Sequence, residues 1–160
     1  MDYLAHGLWS YGLFHKLKNV KLAVLFGLLP DSMSWLIFAI YKLIVDRRLG
    51  EPDLNNIPDW TFTLYDISHS LFVAGACILI VYLILRKFPL YMLSWPIAII
   101  FDLFTHSRDF LPTPFLWPVS DWKFPGISWG NGWFMIGNYS ALLLLFVYII
   151  WKKRKGTNTK

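Results

Sequence analysis

Long apolar runs separated by short polar segments dominate the sequence. The clearest run covers residues 67–85, in which Leu71 to Leu85 are fifteen consecutive uncharged residues. Residues 88–105 and 131–151 form two further apolar runs. Each run approaches the roughly 20 residues that a helix needs to cross a bilayer. The pattern predicts an all-α, multi-pass helical membrane protein.

The first third of the chain is less regular. Residues 3–15 are too short to span a bilayer comfortably, and a basic turn around Lys18 follows them. Because proline lacks a backbone donor and disfavours helix at the residue before it, Pro30 should interrupt the next apolar run. We expect a half-helix at 20–29, a break at 30–34 and a second helical piece at 35–45. The prediction is about four to five spans or half-spans with an N-terminal helical hairpin, and residues 3–29 either span or form a re-entrant hairpin.

Two polar segments, 46–66 and 107–130, are expected to form loops outside the hydrocarbon region. The second is rich in proline and tryptophan. Such loops usually anchor a protein at the membrane interface, and a lid over a site is the alternative. We predict one integral membrane domain over residues 1–155 and a short cytoplasmic tail over 156–160.

Composition and charge support a membrane location. Hydrophobic residues make up 56% of the chain and charged residues only 16%, whereas soluble domains average about 25% charged residues. The net charge is +5, but the basic residues flank apolar segments, so membrane lipids are the expected partners and nucleic acid is not. The start lacks the basic region of a signal peptide, so the apolar segments should be retained. The single Cys77 excludes an internal disulfide.

The distribution of lysine and arginine predicts the orientation. Ten of the fifteen basic residues fall on one side if the turn at 16–21, the turn at Arg86-Lys87 and the C-terminal tail are placed together. Because basic residues accumulate in cytoplasmic loops, we expect the basic C-terminus in the cytoplasm. The oligomeric state is open at this stage.

Three groups of ionisable residues lie in or beside the apolar runs, where a charge costs about 2.5–3.5 kcal/mol on insertion scales. They are Asp31, the segment Asp66 to Ser70 with His69, and the pair Asp102 and His106. Each has a simpler explanation: Asp31, Asp66 or Ser68 as a helix cap, and an Asp–His hydrogen bond without a metal. The i, i+4 spacing of the last pair nevertheless puts a carboxylate and an imidazole on one helix face.

Residue counts from the basic turns indicate that these groups converge. His69 lies 17 residues before the Arg86 turn and His106 lies 19 residues after Lys87. His6 and Asp31 lie at similar distances on either side of Lys18, which corresponds to roughly 18–20 Å of helix. We therefore expect one cluster toward the outer half of the membrane, with the members His6, Asp31, His69, Asp102 and His106.

Imidazole nitrogens and carboxylate oxygens without a thiolate suit one divalent metal ion, Zn²⁺ or alternatively Mn²⁺ or Fe²⁺. In a hydrolase such an ion would activate water. Asp66 is a candidate general base, because the only glutamate, Glu51, lies in a loop. We take Asp66 and His106 as the candidate catalytic residues.

At these residues the sequence resembles the YdjM-like family of bacterial inner-membrane proteins, predicted metal-dependent hydrolases that are distantly similar to zinc-dependent phospholipases C. The matching motifs are His6-Gly7, Gly27-Leu28-Leu29-Pro30-Asp31, Ser68-His69-Ser70, Asp102-Leu103-Phe104-Thr105-His106 and the segment from Leu111 to Pro118. The resemblance implies a multi-helix fold in the bacterial cytoplasmic membrane and a set of metal ligands: His6, Asp31, His69, Asp102 and His106.

The chain departs from the family pattern at several positions. Met33 and Ser34 stand where relatives often carry a second aspartate and a histidine, Leu64 and Asp66 occupy the neighbourhood of an earlier histidine, and Ala98 replaces a further histidine. This thinner set implies one metal ion rather than two.

Three functions are compatible with these residues. The first is a membrane-embedded metal-dependent hydrolase that acts on a lipid or another amphiphilic phosphoester. The second is a non-catalytic membrane protein in which the same residues hold a structural metal ion or a hydrogen-bond network. The third is a small transporter, in which buried Asp and His residues form an ion path.

Overall fold

The computed structural model describes residues 1–47, 57–109 and 111–157, and all regular structure in these ranges is helical. A π-helical turn at Ser32–Leu36 joins the second and third α-helices, and a 3-10 turn at Leu90–Leu93 precedes the sixth. This confirms the all-α class. The α-helices are α1 (Tyr3–Phe14), α2 (Val20–Asp31), α3 (Ile37–Asp46), α4 (Asp59–Ser68), α5 (Leu71–Leu85), α6 (Ser94–Thr105) and α7 (Gly132–Thr157).

Two helices in the described ranges are long and apolar enough to cross a membrane, Val20–Val45 and Gly132–Lys155. α4 and α5 would count as a third span together, although they bend by 57° at their junction. α1 and α6 have 12 residues each, about 18 Å of helix, which is less than the roughly 30 Å of hydrocarbon. The structure therefore has fewer full spans than the four to five spans or half-spans predicted.

Residues Val20–Val45 form one continuous helix, so the predicted break at 30–34 is wrong. Pro30 lies inside α2, and the wider turn at Ser32–Leu36 continues directly into α3. The Ser34 hydroxyl donates to the Pro30 carbonyl at 3.1 Å. A π-helical turn accommodates the proline without ending the helix, and such turns are frequent at functional sites.

Asp31 consequently lies within a helix and not at a helix start. Its side chain makes no capping hydrogen bond, so the capping explanation for this residue is wrong. The cap of α5 is Ser70, whose hydroxyl accepts from the Val73 amide at 3.2 Å. Neither Asp66 nor Ser68 caps that helix, because both lie at the end of α4.

The polar loop predicted over 46–66 is helical in its second part, where α4 begins at Asp59. The hydrophobic residues of this segment, among them Trp60 and Tyr65, pack against aromatic side chains of the turn before α3 and of α3 itself. Residues 48–56 of the predicted loop fall outside the described ranges.

α1 and α2 pack as the predicted N-terminal hairpin, with α6 against them. All three helices meet at Gly27, where an added Cβ would lie 1.8 Å from Ser10 Oγ and 2.7 Å from Ser94 Oγ. Ser94 donates to Ser10 at 2.7 Å across the same contact. Only glycine allows this approach, which brings the polar ends of α1, α2 and α6 together.

Two small apolar cores support the arrangement. One joins α1 to α7 through Ala5 and Leu142. The other joins α5 to α6 through Ala74, Trp95 and Ile99. The polar residues between these cores form the candidate site.

Candidate metal centre

Five predicted residues from four separate parts of the chain meet inside the helix bundle: His6 on α1, Asp31 on α2, His69 between α4 and α5, and Asp102 and His106 at the end of α6. Four of their side chains are at most 7% exposed, and Asp31 is 14% exposed. Access to the cluster is therefore easiest from the side of Asp31. The convergence expected from residue counts is present, while the role of these residues as ligands stays a prediction.

The two carboxylates each face the same two histidines. His6 Nε2 lies 2.9 Å from Asp102 Oδ1 and 3.7 Å from Asp31 Oδ2. His69 Nε2 lies 3.6 Å from Asp31 Oδ1 and 3.6 Å from Asp102 Oδ2. The four side chains form a closed ring in which nitrogen and carboxylate donors alternate.

Hydrogen bonds fix the orientation of the His69 ring. Its Nδ1 lies 3.1 Å from the Tyr65 carbonyl and 3.0 Å from the Ser68 hydroxyl. A carbonyl can only accept, so Nδ1 carries a proton, and in the neutral imidazole Nε2 keeps a lone pair directed at Asp31 and Asp102. The Tyr65 ring covers the imidazole with a centroid separation of 4.0 Å. A carbonyl that holds the remote nitrogen is the usual support of a metal-binding histidine.

His106 is held in the same manner at the end of α6. Its Nδ1 lies 3.1 Å from the Asp102 carbonyl, 3.4 Å from Thr113 Oγ1 and 3.6 Å from Asp102 Oδ1. The i, i+4 pair predicted from the sequence thus shares one helix face. Because Nδ1 donates to a carbonyl, Nε2 of His106 is left as a proton acceptor.

Asp66 lies apart from this cluster. It belongs to the last turn of α4 and lines a cavity next to it, together with Tyr65 and Lys123. Within the described residues, no hydrogen bond or ion pair joins Asp66 to any of the five clustered side chains. Its role as general base stays a prediction that no direct contact with the cluster supports.

The segment after α6 is tied to the residues that hold the cluster. The Tyr65 hydroxyl donates to the Leu111 carbonyl at 2.9 Å, and Thr113 contacts His106. Further along, the amide of Trp129 donates to the Thr105 carbonyl at 2.8 Å. Residues 111–130, which we call the aromatic loop, therefore cover the ends of α4 and α6. This placement supports the lid alternative for the segment.

Among residues 1–47, 57–109 and 111–157, no group of three or more His, Cys, Asp or Glu side chains is already arranged as a metal site. Asp102 Oδ1 instead accepts a hydrogen bond from His6 and contacts the Met1 amino group. The cluster as described is thus a hydrogen-bonded network.

The donor atoms nevertheless fit a divalent ion. His69 Nε2 and Asp102 Oδ2 are buried and have no hydrogen-bond partner, and they lie 3.6 Å apart. Two ligands of one tetrahedral zinc ion are about 3.4 Å apart, given bonds of about 2.1 Å. An unpartnered buried carboxylate oxygen and ring nitrogen are costly, and a shared cation would satisfy both.

Sequence reasoning missed the residues that support the cluster. These are Ser10 and Ser94 at the helix contact, Tyr65 and Thr113 beside the histidines, and Trp95, whose indole donates to the Ser68 carbonyl at 2.8 Å. The pattern of small and hydroxyl residues near each motif was the available signal, but it does not identify partners.

No family model, no curated protein and no solved structure matches this chain. The resemblance to the YdjM-like family accordingly stays a prediction that depends on the five short motifs.

Proposed function

We propose that this chain is a membrane-embedded metal-dependent hydrolase whose substrate is a lipid or another amphiphilic phosphoester. The ring of His6, Asp31, His69 and Asp102 carries the proposal, because its alternating donors include two unpartnered buried atoms. A cation shared by these two atoms would satisfy both of them.

In this proposal the four ring residues would hold one Zn²⁺, Mn²⁺ or Fe²⁺ ion, and His106 lies at the edge of this set. Such an ion supplies Lewis-acid chemistry, in which it polarises a phosphoryl oxygen and makes water nucleophilic near neutral pH. Tyr65 and Ser68 keep His69 in the tautomer that can ligate.

His106 is the better candidate for proton transfer. Its Nδ1 is bound to a carbonyl, so Nε2 is available to accept a proton from water. Asp66 makes no hydrogen bond or ion pair with the cluster, so we do not assign proton transfer to it. The aromatic loop would exclude bulk water from the reaction.

We also propose the finer membrane arrangement. α2 with α3, α4 with α5, and α7 cross the bilayer, and α1 and α6 enter it as half-spans. The basic C-terminus lies in the cytoplasm of a bacterium, on the argument from the distribution of basic residues. The chain resides in the cytoplasmic membrane and contacts lipid.

A non-catalytic network is the second candidate, and one observation favours it. Asp102 Oδ1 is engaged by His6 at 2.9 Å and by the Met1 amino group, so part of the donor set is satisfied without a metal ion. In this alternative the same residues only lock α1 to α6.

A turnover assay separates the two candidates. Detergent-purified chain, loaded with Zn²⁺, Mn²⁺ or Fe²⁺ in turn, would be incubated with a fluorogenic short-chain phospholipid. We expect hydrolysis that a chelator abolishes, and its loss in His69→Ala and in Asp102→Asn. His15→Ala is the matched control, because His15 bonds the Gly12 carbonyl at the α1–α2 turn, away from the cluster. Absence of turnover with every metal, or turnover unaffected by His69→Ala, would reject the hydrolase.

A further inference from the structure

A cavity of about 330 Å³ lies beside the metal centre. Its walls are Phe62, Tyr65, Leu111 and Pro112, and it carries one acidic and one basic residue, Asp66 and Lys123. Small-molecule sites range from about 300 to 1,000 Å³, so this cavity accommodates a head group rather than an acyl chain.

The cavity and the metal centre share their walls. Tyr65 lines the cavity with one side and covers the His69 ring at 4.0 Å with the other. Leu111, which accepts the Tyr65 hydrogen bond, lies two residues before Thr113, the contact of His106. A molecule in the cavity would therefore contact Tyr65, whose ring separates it from His69.

Asp66 and Lys123 carry opposite charges and interact electrostatically across the cavity without forming an ion pair. Within the described ranges neither side chain makes an ion pair at 4.0 Å or less, and both are half-buried. Two opposite charges on the walls of one cavity complement a ligand that carries both signs. An ammonium group matches the carboxylate, and a phosphate matches the lysine.

We propose that this cavity binds the head group of a zwitterionic amphiphile, with its phosphate on Lys123 and its ammonium group on Asp66. The inference rests on the proposed function, since it names the substrate class of the same site. It gives Asp66 the role of a specificity-determining residue in place of the general base expected from the sequence. The apolar walls contact the first carbons of the lipid backbone.

Head-group binding tests the proposal without turnover. Binding of dihexanoyl-phosphatidylethanolamine, dihexanoyl-phosphatidylglycerol and free phosphoethanolamine to the detergent-solubilised chain would be measured by calorimetry. We expect the ethanolamine lipid to bind about tenfold or more tighter than the glycerol lipid, because charged hydrogen bonds are worth that much in affinity. Free phosphoethanolamine should bind more weakly than the lipid. Equal affinity for both lipids, or for lipid and free head group, would overturn the proposal.

Two variants test the assignment of charges. Asp66→Asn should abolish the preference for the ethanolamine lipid while it preserves binding of the glycerol lipid. Lys123→Gln should weaken both lipids by about tenfold. Arg108→Gln is the matched control, because it removes an exposed charge from the same loop but does not line the cavity. An unchanged preference in Asp66→Asn would contradict the proposal.

A third variant separates this inference from the proposed function. His6→Ala removes a proposed metal ligand that neither lines the cavity nor carries one of its two charges. The lipid preference should persist in His6→Ala even though turnover is lost. A wild-type chain that shows the preference but never hydrolyses lipid would reject the hydrolase and leave a lipid-binding cavity. Turnover without any head-group preference would reject the cavity assignment alone.

Discussion

The buried cluster of His6, Asp31, His69, Asp102 and His106 differs from α7 in almost every physical respect, although both belong to apolar segments. The cluster consists of charged and polar side chains that are nearly all buried and that face one another within 4 Å. In the 24-residue apolar part of α7, only 6% of the most apolar stretch is buried inside the protein, and large side chains such as Leu143 and Leu144 are exposed. α7 needs only apolar side chains, whereas the Asp–His cluster needs particular atoms at particular distances.

This difference predicts where the chain tolerates substitution. Where a side chain faces lipid, one apolar residue can replace another and the contacts stay apolar, so the identity of the residue matters little. A buried hydrogen-bonded group leaves its partner unsatisfied when it is removed, which costs far more. The predictions below compare the two regions, from the largest expected effect to the smallest.

Asp102→Ala should have the largest effect on stability. Asp102 is 0% exposed and faces three histidines, and its removal leaves the His6 ring nitrogen and the Met1 amino group without their acceptor. Breaking a buried charged pair costs about 3–5 kcal/mol. Unfolding of the detergent-solubilised protein by denaturant would measure the loss. A change as small as that of an exposed leucine would show that the cluster does not stabilise the fold.

Gly27→Ala should come next. The new Cβ would lie 1.8 Å from Ser10 Oγ, so α1 and α2 must separate. Overpacking of this kind costs about 1–3 kcal/mol. Gly137→Ala on α7 is the matched control, because nothing lies within 4 Å of its added Cβ. There alanine should stabilise the helix by about 0.5–1 kcal/mol. Equal effects at both glycines, measured by thermal unfolding, would refute the close contact.

Part of the Asp–His cluster is predictable from the sequence. Asp102 and His106 are predictable neighbours, because i, i+4 spacing in a helix depends only on local geometry. The convergence of His6, Asp31 and His69 with them followed from helix rise and turn position. The contact at Gly27 was not predictable, because it depends on which helices meet.

The errors have physical causes as well. The sequence rule for proline expects a helix to end, but the π-helical turn at Ser32–Leu36 absorbs Pro30 within a continuous helix. The rule for polar segments expects a loop before Asp66, but aromatic contacts such as that of Trp60 stabilise α4 there. The number of full spans is overestimated from the sequence because an apolar run need not be one helix. In the run 88–105 a 3-10 turn at Leu90–Leu93 precedes α6, which has only 12 residues.

Tyr65→Phe should have a moderate effect. It removes the hydrogen bond to the Leu111 carbonyl at 2.9 Å but keeps the ring over His69. We expect a loss of about 1 kcal/mol. Tyr148→Phe on α7 is the control, because its exposed hydroxyl accepts only a 3.4 Å hydrogen bond from Lys152. A comparable loss in the control would show that the loop attachment does not matter.

Leu143→Ala should have the smallest effect. The side chain is 65% exposed and packs against nothing in the two apolar cores. We expect a change below about 0.5 kcal/mol. Leu142→Ala is the matched comparison, because Leu142 is 2% exposed in the core that joins α7 to α1. It should lower the free energy of unfolding by about 2–5 kcal/mol. Similar values for the two leucines would mean that α7 does not pack as described.

The metal content of the purified protein tests the central claim most directly. Plasma mass spectrometry would be applied to the wild-type chain and to the double variant His69→Ala/Asp102→Ala, with His15→Ala as the control. The account predicts about one zinc, manganese or iron ion per chain in the wild type and in the control, and none in the double variant. No metal ion in any of the three, even after reloading, would contradict the metal centre and leave a network of buried Asp and His residues that bond only to each other.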